Sequence, residues 1–196
     1  MAAQNPSDAA RGAILGLSLG ELPVNPPGLS VEQLEAGEGP IPTMESTALA
    51  LAVLEAYRDG GFDPGFVAEA MLAWQVMGNE AADPTTRRAL GLLASARATP
   101  WNAGQRAAMP GDLPTAGALP RAAVVGLVRA PADPRLVGEA LAIAAMTHPD
   151  QASLGAAVAV ATIVSQLVHA PGSSTVRDVL ALAAEHTVIV DPPTSN

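Results

Sequence analysis

The chain has 196 residues, enough to close one hydrophobic core, so a single domain over 1–196 is expected. Hydrophobic residues make up 49% of it and aromatics 3%, which excludes a disordered chain and disfavours a sheet built on β-branched and aromatic alternation. The net charge is −9, lysine and cysteine are absent, and the arginines form no basic stripe. Nucleic acid is therefore not an expected partner, and thiol catalysis, disulfides and Cys-ligated zinc are excluded. The Ala-, Arg-, Gly- and Pro-rich usage has the high-GC character of a bacterial-type genome.

Met1–Ala10 has no basic stretch followed by an apolar run, so no signal peptide is expected. The most apolar window, Ala152–Val164, is shorter than the ~20 residues of a membrane span. A cytoplasmic location without a membrane partner is the default expectation.

Helices are expected near Ser7–Leu19, Thr47–Arg58, Pro64–Met77, Pro84–Ala98, Ala116–Arg129, Pro134–Met146, Gln151–His169 and Ser174–Glu185. Asp63-Pro64, Asp83-Pro84 and Asp133-Pro134 each set a capping carboxylate before a proline suited to the first turn. Gly60-Gly61 sits where a helix end is expected. Thr47–Tyr57 and Leu154–Val168 are apolar nearly all round and are expected to form a buried central pair. Pro64–Met77 has a one-sided stripe of Phe66, Val67, Ala70, Met71 and Trp74, as a peripheral helix would. Residues 22–42 and 100–114 are long Pro- and Gly-rich loops, mobile or functional, and 188–196 reads as a flexible tail. The fold class is all-α: a compact multi-helix orthogonal bundle with buried central helices.

Four segments then carry a resemblance. Arg11–Glu21 is a Gly-rich helix ending Gly20-Glu21; Met44-Glu45-Ser46-Thr47 opens an apolar helix; Thr85-Thr86-Arg87 follows; Thr115-Ala116-Gly117 leads to Pro120-Arg121 and, downstream, Thr147-His148. In this order they resemble the ADP-ribosylglycohydrolase family, the group that includes dinitrogenase-reductase-activating glycohydrolase, in its Gly-Asp helix end, Thr-Asp-Asp-Thr, Thr-Thr-Arg, Gly-Asn-Gly-x-x-Met-Arg and Thr-His motifs. The likeness runs from about Arg11 to Glu185, roughly two-thirds of a usual family domain.

In the family, the Thr-Asp-Asp carboxylates and a second Asp-x-Asp-Thr cluster hold a pair of magnesium ions. Here the first cluster reads Met44-Glu45-Ser46, and the second is expected to be missing. Hard divalent ions want oxygen ligands, preferably carboxylates, so no metal site is expected beyond Glu45 as a remnant ligand. Magnesium enters only if such a remnant persists.

The candidate catalytic residues are Glu45 as base and His148; the candidate ligand-binding residues are Ser46, Thr115, Gly117 and Arg121. Each has a plainer reading: Glu45 as a helix N-terminal charge, Ser46 as an N-cap, and His148 as a turn residue capping the preceding helix. Asp150 is expected to cap the helix from Gln151, and Arg87 and Arg88 to be solvated helix charges. Trp74 is expected in the core and Trp101 as a loop anchor. His169 and His186 are expected to be structural, and Gly12, Gly16 and Gly20 to serve close helix packing.

Two readings follow from the resemblance. One is a degenerate, non-hydrolytic member acting as a binding, regulatory or partner-assembling module, with an ADP-ribose-like small molecule, a homo-oligomer or a protein as partner. The alternative is an active hydrolase of ADP-ribosyl or related N- or O-glycosidic bonds, or a metal-independent enzyme in the same cleft with Arg121 and His148 stabilising an anion.

Overall fold

The structure, a computed structural model, describes residues 6–21, 44–58, 61–77, 83–170, 172 and 175–188. The expected loop 22–42, Gly60 and all but the first residue of the expected tail 188–196 lie outside these residues. The described elements are all helices: α1 (Pro6–Glu21), α2 (Glu45–Arg58), α3 (Pro64–Val76), α4 (Pro84–Ala94), α5 (Ala103–Ala107), α6 (Leu119–Val128), α7 (Arg135–Ala145), α8 (Gln151–His169) and α9 (Val176–Val188).

The capping carboxylates place the helix starts. Asp63 accepts from the amides of Gly65 (2.7 Å) and Phe66 (3.2 Å), Asp83 from Thr86 N (2.7 Å) and Asp150 from Ser153 N (2.8 Å). At the third Asp-Pro pair the helix starts one residue later, at Arg135, with Pro134 as its N-cap. α4 stops at Ala94, short of the expected Ala98, because Ser95 Oγ donates back to the carbonyls of Gly91 and Leu92 and Ala96 takes a positive φ of 54°. The expected loop 100–114 contains α5. Arg88 ties it down, donating to Ala107 O (2.9 Å) and pairing with Asp112, so Arg88 is not a solvated charge.

The central helix is α6, which packs against α2, α7 and α8. Arg121, Ala122, Val124, Val125, Gly126 and Leu127 are all buried along it. The expected buried pair is corrected accordingly: α2 exposes Leu51 and α8 exposes Leu167, at 39% and 59%. Alanine-rich helices are apolar on faces that need no burial, so all-round apolarity overstated their enclosure. α6 and α8 cross closely at Gly126, where a Cβ would meet Ala161 O at 2.3 Å and Ser165 N at 2.8 Å. The glycines of α1 do not work this way, since a Cβ on Gly12, Gly16 or Gly20 would meet nothing within 4 Å. α8 is long and apolar enough to cross a bilayer, longer than the window Ala152–Val164, and in this fold it lies against α6, α7 and α9.

A buried ionic cluster joins the bundle away from the loops. Arg129 makes two 2.8 Å bonds to the Glu139 carboxylate, Tyr57 donates to Glu139 at 2.8 Å, and the Arg129 guanidinium lies 5.5 Å from the Tyr57 ring centroid. His169 bonds Leu127 O and His186 bonds Thr162, both structural roles as expected. Trp74 packs against the core. Phe66, placed in the apolar stripe of α3, points outward at 54% exposure. Trp101 is no anchor: it is 70% exposed, beside a cavity of about 360 Å³ that Leu141, Ala145 and Leu154 also line.

Candidate functional site

The first corner lies where the end of α1 meets the start of α2. Glu21, in the place of the family's Gly-Asp, accepts from Ser46 N at 2.8 Å and, on its other oxygen, from Thr47 N at 2.7 Å and Thr47 Oγ1 at 2.5 Å. Burial pushes this carboxyl up, but the bonds from Ser46 and Thr47 outweigh it and hold the group below its ordinary range. The residue that caps α2 is therefore Glu21, from another helix, and Ser46 is a first-turn residue rather than the N-cap.

The second corner is assembled by three chain segments: the start of α4, the turn before α6, and the turn between α7 and α8. Thr115 Oγ1 stands 2.7 Å from His148 Nε2 and donates to Asp83 Oδ1 at 3.1 Å. His148 Nε2 is 3.2 Å from Asp83 Oδ2. On the far side of the ring, His148 Nδ1 is 2.8 Å from Thr147 Oγ1, which accepts from Arg121 Nη2 at 2.6 Å. Ser153 Oγ donates to Thr115 O at 3.2 Å and fixes the turn against α8. Gly117 lets this turn close: a Cβ there would sit 2.9 Å from His148 Cε1 and 3.3 Å from Asp83 Cγ. Pro120 falls in the first turn of α6, where a proline is tolerated.

Exposure grades across the corner. Thr115 is exposed, Glu45, Asp83 and Gly117 are half-buried, and Arg121, Thr147 and His148 are buried. Burial pulls the Arg121 guanidinium down to about 10, opposed by the charges of Glu45 and Asp83. Burial also pushes His148 below its ordinary value, with the Arg121 charge adding to this and Asp83 opposing it. Asp83 is raised by burial, but hydrogen bonds from Thr86 and Thr115 and the nearby His148 together hold it below the usual carboxylate range.

The structure thus brings Thr115, Gly117, Arg121 and His148 together, with Glu45 near enough for its charge to act on Arg121. Ser46 belongs to the other corner. Arg121 is 1% exposed, and its Nη2 donates to Thr147 Oγ1. His148 caps the end of α7 through its own amide, which bonds Ala144 O at 2.8 Å, while its ring serves the polar corner.

In the sequence Asp83 reads only as an N-cap and Thr147 only as part of the Thr-His motif, and neither is a candidate site residue there. Asp83 is fully explained as an N-cap in its own segment, and its bonds to Thr115 and His148 come from residues far away in the chain. The only sequence hint was its position directly before Thr85-Thr86-Arg87.

Among the described residues, the donors at the first corner do not suit a magnesium pair. Both oxygens of Glu21 are taken by the start of α2, Met44 offers a thioether, and Ser46 offers a neutral hydroxyl. Among the described residues, no group of three or more His, Asp or Glu side chains could hold a metal ion.

Comparison with curated proteins returns no match, and comparison with solved structures returns none. The family model for ADP-ribosylglycohydrolase matches residues 2–192, nearly the whole chain, in agreement with the all-helical fold and the motif order. The chain belongs to the ADP-ribosylglycohydrolase family.

Proposed function

We propose that this chain is a non-hydrolytic member of its family, keeping the fold as a binding or partner-assembling module for an ADP-ribose-like ligand. The observation that carries this reading is the use of Glu21. At the corner where the family gathers magnesium ligands, its carboxylate is spent on three hydrogen bonds that cap α2. The charge of the other carboxylate there, Glu45, acts on the buried Arg121. Neither is positioned as one of a converging set of hard-ion ligands. The Asp83–Thr115–His148 corner, open to solvent at Thr115, supports the ligand-binding part of the reading. An apolar groove of about 500 Å³ between α1, α2 and the end of α6, lined by Ile14, Leu15, Leu51 and Leu54, supports the partner-assembling part.

The test is turnover. Purified chain is incubated with ADP-ribosylated arginine and magnesium, and free ADP-ribose is measured against a buffer control. No release above the control is expected. Magnesium-dependent release would overturn the proposal in favour of a hydrolase.

A further inference from the structure

Donor and acceptor counting fixes the protons of the polar corner. Arg121 Nη2 can only donate, so Thr147 Oγ1, 2.6 Å away, accepts from it and keeps its own proton to give. His148 Nδ1 lies 2.8 Å from that hydroxyl and can receive it. At the other edge of the ring, Nε2 faces Asp83 Oδ2 at 3.2 Å. Asp83 is ionised and only accepts, and a bare nitrogen lone pair aimed at it would repel it. Both edges of the ring therefore ask for the same tautomer, with the proton on Nε2. Thr115 Oγ1 takes part of that donation at 2.7 Å and passes its own proton to Asp83 Oδ1.

We propose that the buried Arg121 acts through Thr147 to hold His148 as the Nε2–H tautomer. The corner then offers a ligand a fixed acceptor, Asp83, beside the exposed Thr115 hydroxyl, and so takes a neutral, hydroxyl-bearing part of that ligand rather than an anionic one. Arg121 is here a positioning residue, since at 1% exposure no phosphate reaches it. His148 is a donor, not a general base toward Thr115. Asp83 Oδ1 is the open acceptor, because among the described residues it receives Thr115 alone whereas Oδ2 receives both Thr86 N and His148. A carboxylate in this place repels an anion and attracts a hydroxyl. The ligand half of this inference rests on the binding reading above; the tautomer half does not.

The experiment is long-range ¹H–¹⁵N correlation on the free protein, whose three histidines give a simple spectrum. His148 is expected as Nε2–H in the wild type, and an Nδ1–H signal would overturn the assignment. Asp83→Asn keeps a good N-cap and removes the fixed anion, leaving at Nε2 the Thr115 hydroxyl, which can donate or accept, so that the Arg121–Thr147 edge then sets the tautomer. The Nε2–H form is expected to persist in that variant, to persist with Thr147→Ser added, and to be lost to a tautomer mixture with Thr147→Val added. A mixture already present in Asp83→Asn alone would refute control by Arg121. Titration of the wild type with D-ribose and, separately, with inorganic pyrophosphate tests the ligand half at the His148 Nε2 cross-peak. A shift with ribose and none with pyrophosphate is expected. A shift with pyrophosphate, or with neither probe, overturns that half. Failure of ADP-ribose to bind would count against the proposed function and would leave the tautomer result intact.

Discussion

Glu139→Ala removes the acceptor on which two side chains, Arg129 and Tyr57, depend through three hydrogen bonds. Glu139 is 6% exposed and takes both guanidinium bonds of Arg129 and the phenol proton of Tyr57, each at 2.8 Å. Truncation leaves Arg129 nearly buried without its counter-ion and the Tyr57 hydroxyl without its acceptor. Breaking a buried pair in this way costs about 3–5 kcal/mol, because the remaining charge keeps its desolvation penalty. For a chain of this size each kcal/mol lowers Tm by about 2–4 °C, so the expected drop is roughly 6–20 °C. The assay is urea unfolding followed by far-ultraviolet circular dichroism, with a thermal scan alongside. Replacing the whole cluster (Arg129→Met, Glu139→Leu, Tyr57→Phe) is expected to cost much less than Glu139→Ala alone, since no charge is then stranded. A Glu139→Ala loss under ~1 kcal/mol would refute these expectations and mean that water reaches the cluster freely.

Gly126→Ala is expected to destabilise by about 1–3 kcal/mol or more, because the new Cβ would press on the backbone of α8 at Ala161 and Ser165; urea midpoints check this, with Gly12→Ala in open space as the neutral control. The pH dependence follows from the lowered value of His148, which burial and Arg121 push below its ordinary 6.5. The folded state then binds fewer protons than the unfolded one, so this contribution is complete above about 6.5 and is lost as pH falls toward the folded value. His148→Gln should therefore flatten stability between pH 7.5 and about 5 relative to the wild type, and an unchanged slope would contradict the assignment. Asp83 acts at lower pH with the same sign: its depressed value gives stability that disappears on acidification below the ordinary carboxylate range, and Asp83→Asn should remove that part of the acid limb.

Local features were legible in the sequence. Asp63, Asp83 and Asp150 cap where their helix starts were expected, and the order of the four motifs pointed to the family that the domain match bears out. What depends on contact between distant segments was not legible. Glu21 reaches a helix start across 25 residues, and Thr115 reaches Asp83 across 32 and His148 across 33. No periodicity records such pairings. Alanine was the other source of error, since it favours helices whether or not they are buried, so α2 and α8 read as fully enclosed when α6 holds the centre. The glycine rule failed in the same way: Gly126 marks a helix crossing, whereas the evenly spaced glycines of α1 face open space.

The central claim, that the family's ligand fold persists here without its metal chemistry, is tested most directly by calorimetric titration of the chain with ADP-ribose, with and without magnesium. Binding of equal affinity under both conditions is the predicted result. Affinity that rises with magnesium would contradict the account, because it would show that the site still takes a metal ion although Glu21 is engaged by the start of α2.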